Sequence, residues 1–410
     1  MIFKEQTKSI PITKEMVWAS YKKVKRNRGS AGIDQQSLSD FDRIRSEELY
    51  KVWNRLASGS YFAPAIKRVN IPKAGGKTRP LGIPTVSDRI AQQVIKEYLE
   101  PRLESIFSDN SYGYRPNRNA HLAIEKVRYN VRYLSWVIDL DIQEFFENVN
   151  HSLLLKALER HVSEKWVLLY IKRWLEAPVI LEDGTVKTPN GKGTPQGGVI
   201  SPLLANLYLH YCVDKWLEKY HPSQRMVRYA DDLIIHCRSN KKAVEILTAL
   251  KSRLEECDLK AHPEKTKIVY CKKDGRNLKG YPVQFDFLGF SFQPIRFKLK
   301  RGGSFLQFDC KMSRKSKVRI TRELRELAFH NKTQRGIQDL AKGWIQYYGK
   351  ISRRSLQPVF YYLHNRMIRW ILNKYKSFKG SKVKAAKWLR QITRGYPNLF
   401  YHWELGYKLV

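Results

Sequence analysis

The stretch Val227-Arg228-Tyr229-Ala230-Asp231-Asp232-Leu233-Ile234-Ile235 constrains this chain more than any other. Two short apolar runs flank adjacent carboxylates, and runs of that length read as strands with a polar pair at the tip of a hairpin. A hairpin tip holds its side chains rigidly and points both carboxylates outward. Such a site suits a hard divalent cation such as Mg²⁺, which takes carboxylate oxygens and leaves positions open for substrate phosphates. Asp is also a common turn former, because it accepts local backbone hydrogen bonds. The pair alone therefore leaves two readings, metal site or simple turn, and the rest of the chain has to decide.

Charge gives the first indication. The chain has 76 Lys and Arg against 38 Asp and Glu, a formal +38, so bare aspartates between strands stand out against a cationic surface. A field of that sign favours a polyanion, either nucleic acid or an anionic membrane. No apolar run approaches the roughly 20 residues of a membrane span, and residues 1–20 lack the uninterrupted apolar core of a signal peptide. Nucleic acid is the better partner, with no membrane role. Cys212, Cys237, Cys257, Cys271 and Cys310 are scattered and form no Cys-x-x-Cys pair. Neither a zinc module nor a disulfide framework is indicated, and a reducing cytoplasm is expected. The charge is uneven: residues 291–410 hold 28 Lys and Arg against five acidic residues, a net +23. Aromatic residues interleave with that charge (Trp344, Tyr347, Tyr348, Tyr361, Tyr362, Trp370), which favours a binding surface, or a core beneath one, over a bare tail.

Periodicity places the remaining motifs. A helix is predicted over 13–25, opening at Thr13. Residues 66–71 alternate as a strand and return through Pro80-Leu81-Gly82-Ile83-Pro84, a hairpin that brings Lys73 and Arg79 onto neighbouring strands. Asp88 is expected to cap a helix in which Ile90, Val94, Ile95 and Leu99 repeat. In the strand predicted over 133–142, Leu134, Trp136, Ile138 and Leu140 face one way, and Val137, Asp139 and Asp141 the other. Two carboxylates on an otherwise apolar strand are costly unless paired or metal-bound. A helix is expected over 161–176, and a Gly/Pro-rich loop ends in Gly193-Thr194-Pro195-Gln196-Gly197-Gly198 before a helix near Ser201. The sheet region closes at Phe292, after which the pattern turns helical. There Ile337, Leu340, Ala341, Trp344, Ile345 and Tyr348 form one stripe.

Asp141 on a strand, the Gln196 loop and the Asp231-Asp232 hairpin thus stand in a fixed order. A strand aspartate beside a hairpin pair can hold two Mg²⁺ ions, one acting on a primer 3′-hydroxyl and one on a leaving pyrophosphate. Phosphoryl transfer asks for positioning and charge neutralisation above all, and Lys73 and Arg79 would meet the triphosphate.

With these motifs in this order the chain resembles the group II intron reverse transcriptases, or maturases. The resemblance rests on Gly29-Ser30-Ala31-Gly32-Ile33-Asp34, the Ile71-Pro72-Lys73 hairpin, Ser111-Tyr112-Gly113-Tyr114-Arg115-Pro116, Asp141, the Gln196 loop, Tyr229-Ala230-Asp231-Asp232, Phe287-Leu288-Gly289-Phe290 and Gly343-Trp344-Ile345-Gln346-Tyr347-Tyr348. It implies an α+β right-hand polymerase, fingers and palm with antiparallel sheet, followed by a helical thumb or maturase domain. The expected boundaries are an N-terminal extension over 1–45, fingers and palm over 46–295, thumb over 296–376 and a short basic segment over 377–410. The break is drawn near residues 293–303.

The resemblance implies the following roles. Asp141, Asp231 and Asp232 are the catalytic metal ligands for two Mg²⁺ ions, with Mn²⁺ able to substitute, and Asp139 is a neighbour. Phe146 gates against ribose 2′-hydroxyls, Gln196 contacts the incoming nucleotide, and Lys73 and Arg79 grip its triphosphate. Lys265 is a candidate acid for pyrophosphate. Arg115 is a template- or nucleotide-side contact, or else a fold-stabilising ion pair. Arg366 and Arg369 are candidates for RNA phosphate contacts, whereas Trp344 and Tyr348 read better as core. The implied partners are intron or other structured RNA, an RNA template with a DNA primer, and dNTPs. The implied location is the cytoplasm, beside the nucleoid when acting on DNA. The implied activity is RNA-directed DNA synthesis, combined with assistance to intron splicing and to mobility by target-primed reverse transcription. With no cysteine pairs, an endonuclease-lacking form is expected. Two other readings stay open: a domesticated reverse transcriptase of antiphage defence or DNA repair with a separate RNA template, and an RNA-binding splicing cofactor whose polymerase has decayed. The intact Asp141, Gln196, Asp231 and Asp232 argue against the latter. Phe146 argues against an RNA-copying RNA polymerase, which needs room for a 2′-hydroxyl.

Overall fold

The structure is a computed structural model that describes residues 10–72, 78–273, 278–299, 301–326 and 341–408. The chain forms two compact units, Met1–Asn119 with Ile138–Lys267, and Ala120–Val137 with Ile268–Val410.

The first unit opens on the helix Lys14–Arg26, whose N-cap Thr13 accepts a hydrogen bond from Met16 N at 3.3 Å. Its buried face (Val17, Tyr21, Val24) packs on the helix Val86–Glu104. Asp88 does not cap that second helix. Thr85 does, accepting from Asp88 N at 3.1 Å, and Asp88 turns inward to take bonds from Tyr61 Oη, Trp174 Nε1 and Gln92 Nε2. Strands β1 (Ile66–Pro72) and β2 (Thr78–Ile83) pair antiparallel, with Ile71 opposite Arg79. Strand β3 (Trp136–Asp141) belongs to another sheet, while β4 (Val179–Ile180) and β5 (Val186–Lys187) extend the first in the order β2-β1-β4-β5. Strands β6 (Arg225–Tyr229) and β7 (Asp232–Cys237) form the predicted hairpin. With β8 (Lys267–Tyr270) they complete a sheet of order β6-β7-β3-β8. Along β3 the apolar Trp136, Val137, Ile138 and Leu140 are buried, whereas Asp139 and Asp141 are half-buried, as the alternation required.

The helix Ser201–Leu209 has Pro202 in its first turn, where a missing N–H is harmless. It is apolar all round and nearly every residue in it is buried, as befits a core helix. The helix expected over 161–176 begins only at Lys165.

In the second unit, β9 (Phe285–Phe287), β10 (Phe290–Lys298) and β11 (Ser304–Met312) form a sheet of order β11-β10-β9. Phe285, Phe292 and Phe308 stack at its heart, with centroids 4.8 and 6.1 Å apart. Arg128 of the helix Ala120–Tyr133 grips Asp309 with two bonds of 2.7 and 2.9 Å. This corrects the expected architecture: β10 and β11 pair along their whole length, so the break drawn near residues 293–303 falls in a β-hairpin and not in a linker. The chain turns helical only at Arg314–Glu326, followed by Gln357–Lys374, Lys382–Gly395 and Tyr401–Glu404. Of the aromatic stripe, Ala341, Trp344, Ile345 and Tyr348 are buried, while Ile337 and Leu340 lie outside the described residues. Among the described residues no helix is long and apolar enough to cross a membrane.

Candidate active site

Asp141 is the last residue of β3, and Asp232 opens the neighbouring β7 after the two-residue turn Ala230-Asp231. The fold of the first unit thus brings the three aspartates to adjacent strand ends. Burial, with the charge of Asp141 adding to it, raises the carboxyl of Asp231 above the ordinary range. Asp232 keeps an open edge to solvent, yet the protein crowding its carboxyl, and then the charges of Asp231 and Asp141, push it up to about 7. Like charges gathered at one point call for a cation. The ammonium of Lys265 takes that part for Asp141, donating to Oδ2 at 2.8 Å. Asp139 lies 3.7 Å from Lys267.

These residues fit a hard divalent cation: all the donors are carboxylate oxygens, one of them already facing a positive nitrogen. Among the described residues no three His, Cys, Asp or Glu side chains close into a cage. An open arrangement is what Mg²⁺ favours, since it keeps waters and takes substrate phosphates alongside one or two carboxylates.

The same unit holds a groove of about 150 Å³, whose lining includes Phe146, Gln196, Arg68, Gly82 and Thr194; the three aspartates lie outside it. Phe146 stands in the short helix Phe145–Asn148, entered through Glu144 with φ 44°, and its carbonyl accepts from Thr194 N at 2.7 Å. Phe145 is turned away into the core, and Phe146 lines the groove. Gln196 and Arg79 meet directly, Arg79 Nε donating to Oε1 at 2.7 Å. Lys73 lies outside the described residues.

Arg115 is corrected. Its side chain is 3% exposed and its donors are committed to Glu104, Ser108 O and Ser111 O, at 2.5 to 3.1 Å. A guanidinium so enclosed anchors the loop before it and has no face for a nucleotide. In the second unit, Arg369 is exposed on Gln357–Lys374, while Arg366, one turn earlier, is half-buried and donates to Arg325 O at 3.2 Å.

Sequence reasoning missed the support of the Gln196 loop. Gln92 Oε1 accepts from Val199 N and Ile200 N at 2.8 and 3.3 Å, and Gln92 Nε2 donates to Asp88 at 2.9 Å. Burial raises Asp88 to about 6. The available signal was the polar cluster Asp88-Arg89 with Gln92-Gln93 inside an apolar helix, where a run of buried polar side chains implies partners elsewhere.

Residues 71–292 match the family model described as reverse transcriptase (RNA-dependent DNA polymerase). Protein YkfC of Escherichia coli (strain K12) is 32% identical over 282 residues, 58% of this chain and 72% of that protein. The group II intron-encoded protein LtrA of Lactococcus lactis subsp. cremoris is 25% identical over 427 aligned positions, covering 88% of this chain and 68% of LtrA. The putative COX1/OXI3 intron 1 protein of Saccharomyces cerevisiae is 27% identical over 321 residues, with 66% of this chain matching 38% of that longer protein.

Proposed function

Because this chain belongs to the reverse transcriptase (RNA-dependent DNA polymerase) family, in its group II intron-encoded branch, we propose that it copies RNA into DNA at Asp141, Asp231 and Asp232 with two Mg²⁺ ions. The palm and fingers belong to the first unit, and the second serves as thumb and maturase surface, binding intron RNA to assist splicing and mobility. The observation that carries the reading is the meeting of three carboxylates at adjacent strand ends, two of them (Asp231 and Asp232) raised by burial and by the charge of neighbouring aspartates. When bound, the cations neutralise the transferring phosphoryl group and acidify the primer 3′-hydroxyl. The protein's own part is positioning. Arg79 and Gln196, already joined, form the edge that receives the incoming nucleotide. Phe146 closes the space a 2′-hydroxyl would need. Lys265, on Asp141, is within the site to protonate leaving pyrophosphate. Five buried free cysteines suit a reducing compartment, and a cytoplasmic location is part of the proposal.

Primer extension on an RNA template with dNTPs and Mg²⁺ tests it. The parent chain should extend the primer, and Asp231→Ala should lower the rate by at least ~10³-fold, several kcal/mol of transition-state stabilisation, with RNA binding retained. Substantial extension by Asp231→Ala would sink the assignment.

A further inference from the structure

The turn that carries Asp231 is braced from behind by a charge the reaction does not need. Arg228 lies in β6 between apolar neighbours and is 1% exposed. Its Nε and Nη2 donate to Asp214 Oδ1 and Oδ2 at 2.8 and 2.5 Å. Its Nη1 donates to Asn206 Oδ1 at 3.0 Å and to the carbonyl of Ala230 at 3.1 Å. Asp214 and Asn206 are themselves buried. Asp214 reaches the guanidinium from the end of a π turn, His210–Asp214, that interrupts the helical run after Leu209. Single π turns of this kind frequently mark functional sites.

The turn itself is unusual. Ala230 has φ 54°, a left-handed conformation that costs an L-residue with a Cβ about 1 kcal/mol or more. On its other side Gly113 packs so closely that a Cβ there would lie 2.4 Å from Ala230 N. The segment containing Gly113 is fixed to β6 by Tyr112 N to Arg228 O at 2.8 Å and Arg228 N to Asn110 O at 2.9 Å. Asn206 closes the ring by donating to Gly113 O at 2.8 Å. Ala230 is therefore clamped at its nitrogen by Gly113 and at its carbonyl by Arg228.

A buried ion pair is weak evidence for stability, because well-packed apolar residues of the same volume often serve the core as well or better. Apolar residues cannot donate to the Ala230 carbonyl. We propose that Arg228, oriented by Asp214 and Asn206, is a positioning residue that holds the Ala230-Asp231 peptide and so fixes the aim of Asp231 at the cation site. The inference rests on the reading of Asp141, Asp231 and Asp232 given above.

Two variants of the full chain test it. Arg228→Lys keeps a positive charge for Asp214 but lacks the planar fork that reaches Asn206 and the Ala230 carbonyl together. The double variant Arg228→Met with Asp214→Leu replaces the pair by apolar volume and leaves no buried charge behind. Mn²⁺ binding is read by electron paramagnetic resonance without nucleic acid, primer-template binding by fluorescence anisotropy, folding by thermal melts, and catalysis by primer extension. The folded variants should bind Mn²⁺ about 10-fold or more weakly, as losses of groups behind a metal ligand do. Their kcat should fall about 10²-fold, the cost of a misplacement near 1 Å, with KM for dNTP and primer-template affinity little changed. Parental Mn²⁺ binding and kcat in either folded variant would overturn the proposal. Unfolding of both variants would do so too, by assigning the brace to the fold. A parent chain that neither binds Mn²⁺ nor extends a primer overturns the cation-site reading itself, and is recognised before any variant is compared.

Discussion

Phe145 and Phe146 are adjacent, and only their side-chain directions separate a core residue from the proposed gate. Phe145 is 2% exposed and packs against Tyr208, whereas Phe146 faces the groove it shares with Gln196. Phe146→Ala should therefore raise the use of rNTPs relative to dNTPs, a steric block of this size being worth on the order of 1–3 kcal/mol of discrimination. Phe145→Ala should instead lower thermal stability by about 3–5 kcal/mol and leave the dNTP preference alone. Competition extension reactions and melts on both proteins separate the two outcomes, and a reversed pattern would move the register of the site by one residue. At this scale much is legible, because a strand's alternation assigns each side chain a face and so puts Asp139 and Asp141 on one side of β3. Arg115 was not legible. A lone arginine in a loop looks the same whether it waits for a phosphate or is enclosed by a glutamate and two carbonyls, and only the approach of Glu104, eleven residues earlier, decides.

Elements depend on what neighbours them, and here the sequence is least explicit. The Gln196 loop lies so close to β2 that Gly197, with φ 117°, has no room for a side chain: a Cβ would lie 2.2 Å from Gly82 O. Gly82 N in turn donates to Gln196 O at 2.6 Å. Gly197→Ala should push the loop off β2, separate Gln196 from Arg79, and raise KM for dNTP by at least ~10-fold while the primer-template affinity holds. Steady-state kinetics across dNTP concentration check this, and an unchanged KM would mean the loop is not the nucleotide's edge. The long hairpin β10–β11 was missed for a related reason. Its strands carry Lys and Arg at 296, 298 and 311 among apolar residues, and a basic strand next to basic helices blurs into one charged run.

The helix Gln357–Lys374 and the segment Tyr401–Glu404 meet through His364, His402 and Trp403, all buried. Trp403 Nε1 donates to His364 Nε2 at 3.0 Å, which requires that nitrogen to be unprotonated, and His402 stacks on Phe360 at 4.9 Å. Burial pushes His364 down to about 4 and His402 to about 3, the latter also by the charge of His364. For a base with a lowered folded pKa, the unfolded chain takes the proton first as pH falls. The stability is therefore whole above the ordinary value near 6.5, and is lost from there down through about 4, at up to about 1.4 kcal/mol per pH unit per histidine. Denaturation of the parent between pH 7 and 4.5 should show that slope. A His402→Phe variant should have a shallower one, and identical slopes would remove these histidines from the account.

At the scale of the whole molecule the argument is electrostatic, and composition made it plain from the start. The 28 Lys and Arg against five acidic residues over 291–410 give the second unit the field of a polyanion-binding surface. What composition could not say is which cations are free. Arg366 is half-buried and already donates to the Arg325 carbonyl in the helix Arg314–Glu326, so part of its hydrogen-bonding capacity is committed within the unit. Arg369 is exposed on the same helix. If phosphate contacts dominate RNA affinity, each lost contact lowers the log–log salt slope by roughly 0.7–0.9. Arg369→Ala should therefore weaken RNA binding and flatten its salt dependence by about one contact, with the melting temperature held. Arg366→Ala should show the opposite balance, a lower melting temperature and a smaller change in slope. Neither should slow nucleotide addition once primer-template is saturating, since both lie in the second unit while the aspartates belong to the first. Binding isotherms across a salt series decide between them: equal slopes for parent and Arg369→Ala would place that arginine on a merely solvated face and move the RNA contacts to other cations of the unit.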